Sequence, residues 1–418
     1  MHLAKKVLIG AAVAGLGAST LGVLPASAST PFTPNNATDW IRIGGSDTTH
    51  WMMDDLATLY NEAPGCLTSK PSGGTQDLSG GCTDQVQATP VLDVIYEPDG
   101  AGNVTSDGNP DHDVMFGYYP VGSSSGITQL TNRGAPGYQV LDVARSSRAR
   151  SGSDSVNLRF FAFARDAIPW VKFGTTAGDP SLAVTNLTTA QLTSIFSDCN
   201  IDGPDVNTIA DWGDVGGVAG APLLTWAAQT GSGTRATFDG FLGSGKNSQN
   251  CIPGVYKDGT AANGERVIFE NDATPIIAAG NTDCALELPA ATRCDLNSIS
   301  YYSLGRHSTS GGQGSILGAI NGVTANETTV VAGTYPYSRF VYNVIRNSFG
   351  TDDIANGGRN FVAPLGFLCK PSSQHAVNRE TGNNYRVDVE NTIRDNGFFP
   401  LPLGVTGLGA SDSHCRAS

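Results

Sequence analysis

No run of basic residues, no C-x-x-C pair and no second long apolar stretch occurs in this chain of 418 residues. Each absence removes a class of function. With 25 Lys plus Arg against 38 Asp plus Glu, a net charge of −13, the chain offers no electrostatic footprint to nucleic acid or to an anionic membrane. Without C-x-x-C spacing, and with its six histidines scattered, it lacks the usual pattern of a zinc site. The 52 glycines follow no three-residue period and large apolar residues are spread throughout, which excludes collagen-like and disordered chains. The length suggests two or three globular domains.

The chain opens with an export pattern. Lys5 and Lys6 precede the apolar, small-residue run Val7 to Leu24 and the motif Ala26-Ser27-Ala28, so residues 1–28 read as a cleaved signal peptide. No cysteine stands at the cleavage point, which favours a secreted protein over a lipid-anchored one. All eight cysteines follow the signal, and an even number in an exported chain reads as disulfides. Many connectivities are open. Local closure favours Cys66 with Cys82 and Cys284 with Cys294, leaving Cys199 with Cys251 and Cys369 with Cys415 as the weaker pairs.

Three segments repeat one design. Trp40 to Ile43 reads as a strand, Gly44-Gly45-Ser46-Asp47-Thr48-Thr49 as a turn, and Met52, Leu56, Leu59 and Tyr60 fall at helical spacing. A strand-like run from Met115 to Pro120 leads to Gly122-Ser123-Ser124-Ser125-Gly126 and a helical start at Ile127. Leu223 to Ala228 leads to Thr230-Gly231-Ser232-Gly233-Thr234-Arg235, then Phe238, Phe241 and Leu242. Strand, small-residue turn and helix in succession predict an α/β fold with helix N-termini at a sheet edge. A helix N-terminus presents unpaired N–H groups and about half a positive charge. Several converging on one cleft would hold a tetrahedral oxyanion; each alone is ordinary capping.

Other motifs compete for attention. The third turn is neither a P-loop nor G-x-G-x-x-G. Gly122 to Gly126 matches the G-x-S-x-G of serine hydrolases, with Ser124 as nucleophile, but no histidine is placed to complete a triad. Asp107, Asn109, Asp111 and Asp113 resemble the start of a calcium loop, with His112 where glycine is wanted and Tyr118 where the closing Glu belongs.

Gly231 to Arg235, Gly45-Ser46-Asp47-Thr48-Thr49, Gly122-Ser123, Asp142-Val143-Ala144-Arg145-Ser146-Ser147 and Tyr335-Pro336 together resemble the PstS family of phosphate-binding proteins. The resemblance implies a two-lobed, type II periplasmic-binding-protein fold with a hinge between the lobes. On that reading lobe 1 spans 37–162 plus 335–418 and lobe 2 spans 163–334, with crossings at Arg150 to Asp154 and Gly333 to Ser338. It implies a non-enzymatic, monomeric protein without cofactor, which closes on inorganic phosphate or a related oxyanion and delivers it to an ABC-type permease. Carried over by position, the binding residues are Asp47, Thr48, Thr49, Ser123, Ser232, Gly233 and Thr234.

Two positions depart from the family pattern. Ser147 stands where an aspartate usually accepts the phosphate proton, and Ala228 where an arginine usually precedes the Gly-Ser-Gly-Thr turn. Asp47 is the substitute acceptor, and Arg145, Arg148 or Arg235 the substitute cation, each with a surface or interlobe salt bridge as its plain alternative. An extracellular hydrolase on the same fold, or a surface protein with a vestigial pocket, are the competing functions.

Overall fold

The computed structural model describes residues 40–63, 85–87, 97–98, 104–105, 122–132, 141–198, 209–252, 266–268, 270–277, 294–309, 311–347, 358–359, 361–364, 366–372, 375, 377–378, 380–401 and 413–414. The signal segment, the Met115 to Pro120 strand and the acidic Asp107 to Asp113 loop lie outside these residues. Each expected cysteine pair has at least one member outside them. Among the described residues no helix is long and apolar enough to cross a membrane.

The fold is mixed α/β and is built on two principal sheets. The first is seven-stranded. It contains β1 (Trp40–Gly45), β2 (Gln85–Gln87), β3 (Val143–Ser146) and β4 (Leu158–Ala167). The chain then enters the four-stranded second sheet through β5 (Trp170–Lys172), joined there by β6 (Leu224–Thr225). The strands β7 (Ala227–Ala228) and β8 (Val267–Ile268) form a separate parallel pair, and β9 (Ser298–Tyr301) and β10 (Ile316–Leu317) complete the second sheet. Then β11 (Ser338–Arg346), β12 (Phe399–Pro400) and β13 (Ser413–His414) return to the first. Its order is β12-β4-β11-β3-β1-β2, with β13 beside β4.

The chain changes sheets between Ala167 and Trp170 and returns just before Ser338. The turn at Arg150 to Asp154 therefore lies between two strands of the first sheet rather than at a change of sheet, and Gly333 to Ser338 leads into β11 of the first sheet. Side-chain alternation explains why β4 and β11 hold the first sheet together. Phe161, Phe163, Val341 and Ile345 enter one core with Ile41, Ile43 and Met53, while Phe160, Ala162, Tyr342 and Val344 enter a core on the opposite face.

The helix α1 (His50–Glu62) seals the first of these faces with buried Met52, Leu56 and Tyr60, and α2 (Ser123–Thr131) the other with Ile127 and Leu130. In the second lobe α3 (Thr189–Phe196) starts with a capping box formed by Thr188 and Gln191. The helix α4 (Gly233–Leu242) buries Phe238 against Tyr301, stacked at 3.9 Å, with Phe196 and Tyr337 edge-on to Phe238. That aromatic anchor fixes the direction in which the N-terminus of α4 points.

Candidate oxyanion site

Both lobes deliver their small-residue turns to one place. From the first lobe come Ser46 to Thr49 between β1 and α1, Ser123 at the start of α2, and Ser147 just beyond β3. From the second come Ser232 to Thr234 at the start of α4 and Glu270-Asn271 after β8. All of these side chains are buried.

Two glycines permit the approach. Gly122 holds φ of 95°, a left-handed value an L side chain resists, and a Cβ there would collide with the Gly231 carbonyl. The Ser124 N–H instead donates to that carbonyl at 3.3 Å. At Gly233 a Cβ would strike Ser123 Oγ and Ser147 Oγ. The N-terminus of α4 thus sits directly on first-lobe hydroxyls.

The hydroxyls form a connected network. Ser46 Oγ donates to Ser147 Oγ at 2.9 Å, the Ser147 N–H donates to Ser123 Oγ at 2.9 Å, and Thr48 Oγ1 lies 2.9 Å from Thr234 Oγ1 across the cleft. Four donors meet one oxygen, Oε1 of Glu270: Thr48 Oγ1 at 2.7 Å, Thr234 Oγ1 at 2.5 Å, the Thr234 N–H at 3.1 Å and Ser147 Oγ at 3.2 Å. Asn271, in the left-handed conformation with φ of 64°, donates to Asp47 Oδ2 at 3.1 Å and Thr48 Oγ1 at 3.3 Å and accepts the Ser303 N–H. It ties the first loop to the second lobe.

The expected residues divide by what they touch. Asp47, Thr48, Ser123, Ser147, Gly233 and Thr234 come together. Thr49 is fully buried and its Oγ1 has no hydrogen-bond partner among the described residues. Ser232 caps α4 by accepting the Arg235 N–H at 3.0 Å, the ordinary helix role. By contrast, α1 and α2 begin without a side-chain cap bond.

Two of the three candidate arginines pair away from the network, and the third lies behind the first loop. Arg235 faces Asp239, Thr230 and Asn247, and Arg148 pairs with Asp154 at 2.7 Å. Arg145 is buried behind the first loop and donates to the carbonyl of Ser46 at 3.1 Å. Burial lowers its pKa to about 10 against the pull of Asp47 and Asp54. At Ala228 the backbone N–H donates to the Tyr301 hydroxyl.

Among the described residues Arg339, which the sequence reading missed, donates directly to the network's side chains. Its Nη1 donates to Thr234 Oγ1 and to the Ser147 carbonyl, both at 3.0 Å, while Nε and Nη2 hold Asp166 Oδ2 at 2.9 and 2.7 Å. The available signal was weak: Arg339 and Asp166 are each one of several polar or charged residues in β11 and β4, and only their register, Arg339 opposite Asp166, sets them apart. Glu270 and Asn271 were missed too; they end a short apolar run with nothing distinctive about it.

The electrostatics are mixed. Burial raises the Asp47 pKa to about 6, with Arg306 opposing, Glu270 adding to the rise, and Asn271 and Arg145 opposing. Burial beside Arg145 and Arg306 lowers His50 to about 3, so it is neutral at physiological pH.

A family model for the PBP superfamily domain matches residues 33–363. The chain belongs to the PBP superfamily. This superfamily member is similar in structure to an ABC-type phosphate transport receptor from Vibrio cholerae, at 19% identity and a TM-score of 0.47, over 87% of this chain and 100% of that one. It is similar also to PstS from Borrelia burgdorferi, at 16% identity and a TM-score of 0.40, over 87% of this chain and 99% of that one. No curated protein matches it in sequence.

Proposed function

We propose that this superfamily member is an exported, non-enzymatic binding protein that captures inorganic phosphate or a related oxyanion between its lobes for uptake by an ABC-type permease. The observation that carries the reading is the convergence of hydroxyl and N–H donors from both lobes on a single anionic oxygen. A site that gathers Thr48, Ser147 and Thr234 around one carboxylate oxygen has the donors to gather around a phosphate oxygen. The uncapped starts of α1 and α2 add N–H groups and dipole, and buried Arg339 adds one positive charge shared with Asp166.

The mechanism is hinge closure rather than covalent chemistry. First-lobe donors hold the oxyanion while the cleft is open; the start of α4 swings onto it and displaces its water, with β4 and β11 as the connections that flex. Export is supported by the Lys5 to Ala28 pattern, and oxidation after export by the disulfide-bonded state of Cys251 and Cys369. Calorimetry of the protein lacking residues 1–28 with phosphate, arsenate and sulfate tests the proposal. Saturable binding of at least one is expected, and no binding of any of the three rejects it.

A further inference from the structure

Glu270 stands at the centre of the donor network. Its side chain belongs to the second lobe, is 1% exposed, and draws donors from the first loop, from the residue after β3 and from the start of α4. A structural carboxylate commonly shares donors between its two oxygens or faces a cation. Here Oε1 takes four hydrogen bonds and Oε2, also buried, takes none among the described residues. Among the described residues no Lys, Arg or His lies within salt-bridge distance of Glu270; the nearby guanidinium of Arg339 is spent on Asp166, Ser147 and Thr234. The unpartnered Thr49 Oγ1 is a further buried hydroxyl left over in the first loop. One carboxylate oxygen thus sits in a cradle furnished for more oxygens than a carboxylate brings.

We infer that Glu270 is an internal competitor for the oxyanion site: its carboxylate latches the two lobes and must be displaced for an oxyanion to bind. The inference rests on the oxyanion-binding reading above. Glu270 and the ligand need the same four donors and carry charge of the same sign, so they exclude one another. Thr48 and Ser147 on one side and the body of the second lobe on the other are joined through Glu270 Oε1, so the contact also draws the lobes together. The protein then binds with its intrinsic affinity divided by the fraction of molecules in which Glu270 has left the site. Asn271 positions this latch, because its bonds to Asp47, Thr48 and Ser303 hold the turn that carries Glu270.

The alternative role for a carboxylate here, accepting a proton-bearing ligand oxygen on Oε2, predicts the opposite effect on affinity. Wild type, Glu270→Gln and Glu270→Ala are compared by calorimetry with inorganic phosphate and with sulfate, and by small-angle scattering without either anion. Release of the competitor is expected to tighten phosphate binding at least about tenfold in both variants. It is also expected to enlarge the radius of gyration of Glu270→Ala in the absence of anion, with added phosphate restoring the compact form. Equal or weaker phosphate binding by the variants overturns the inference, and weaker binding with lost preference over sulfate identifies Glu270 as a ligand contact. If wild type binds phosphate and the variants bind it equally, the oxyanion reading stands and the competitor fails. If wild type and both variants bind neither anion, and wild type fails to bind arsenate in the calorimetry above, the oxyanion reading fails, and the competitor with it. A thermal melt of each variant confirms that it is folded.

Discussion

Asp47 keeps a carboxyl in a place that disfavours its charge, and the cost has a pH signature. Its pKa of about 6 in the fold lies above the ordinary 3.8, so between those values the folded chain holds a proton that the unfolded chain has lost. Its contribution to stability therefore falls as pH rises through that window, and the full penalty is present above it. Asp47→Asn should stabilise the protein at pH 7.5 by on the order of 2–3 kcal/mol and by much less at pH 4. The check is the difference between the two unfolding curves, because His50, depressed to about 3, contributes the opposite slope over an overlapping range. An equal difference at both pH values would refute the assignment. Gly233 is the second residue whose role is local. Ala at this position would drive a methyl into Ser123 Oγ and Ser147 Oγ of the opposite lobe. Calorimetry of Gly233→Ala should show phosphate affinity reduced at least about tenfold, since more than about 1.4 kcal/mol of closure is lost, while each lobe stays folded by circular dichroism.

At the scale of the element, the helices show what pattern reading catches and what it misses. The third unit was legible because Phe238, Phe241 and Leu242 follow a turn rich in glycine and hydroxyls, and Phe238 and Leu242 are buried as their spacing requires. The start of α2 was not: the Gly/Ser run reads as a loop up to Ile127, whereas the helix begins at Ser123. Low intrinsic propensity is overruled there by burial of Ser123, Gly126, Ile127 and Leu130 at i, i+3, i+4 and i+7 against the first sheet. Ser232 does two jobs at the element scale, capping α4 and ending the turn, and the first is measurable alone. Ser232→Ala should cost about 1 kcal/mol in urea unfolding and Ser232→Gly only a few tenths, the ranking expected of an N-cap. Equal costs would show that the Ser232 hydroxyl is not capping.

The whole molecule turns on two strands. Asp166 in β4 and Arg339 in β11 face each other in register where the chain passes between sheets, and their buried ion pair reaches into the network through Arg339 Nη1. Removing one partner leaves the other charge buried. Arg339→Met should therefore destabilise the protein by about 3–5 kcal/mol, and adding Asp166→Asn should recover much of that loss. Thermal and urea unfolding of the single and double variants measure it, and no recovery in the double variant would assign the loss to packing instead. Net charge is the other whole-molecule property. It is −13, and two units more negative if Lys5 and Lys6 leave with the signal, so the overall field repels an anion. Recognition of one then depends on oriented dipoles and nearby guanidinium groups such as that of Arg339 rather than on the field of the molecule.

Composition, periodicity and local motifs were enough to read an α/β chain with three hydroxyl-rich helix starts, because turn chemistry and amphipathic spacing are properties of neighbouring residues. They did not reveal Arg339, Asp166, Glu270 or Asn271, nor that Arg148 and Arg235 are engaged elsewhere while Arg145 backs the first loop. Those facts depend on contacts between residues such as Thr48 and Glu270 that are 222 positions apart. Only the folding of two lobes against one another determines which buried charge meets which donor, since the energy of a buried polar group is set by its neighbours in space and not by those in sequence.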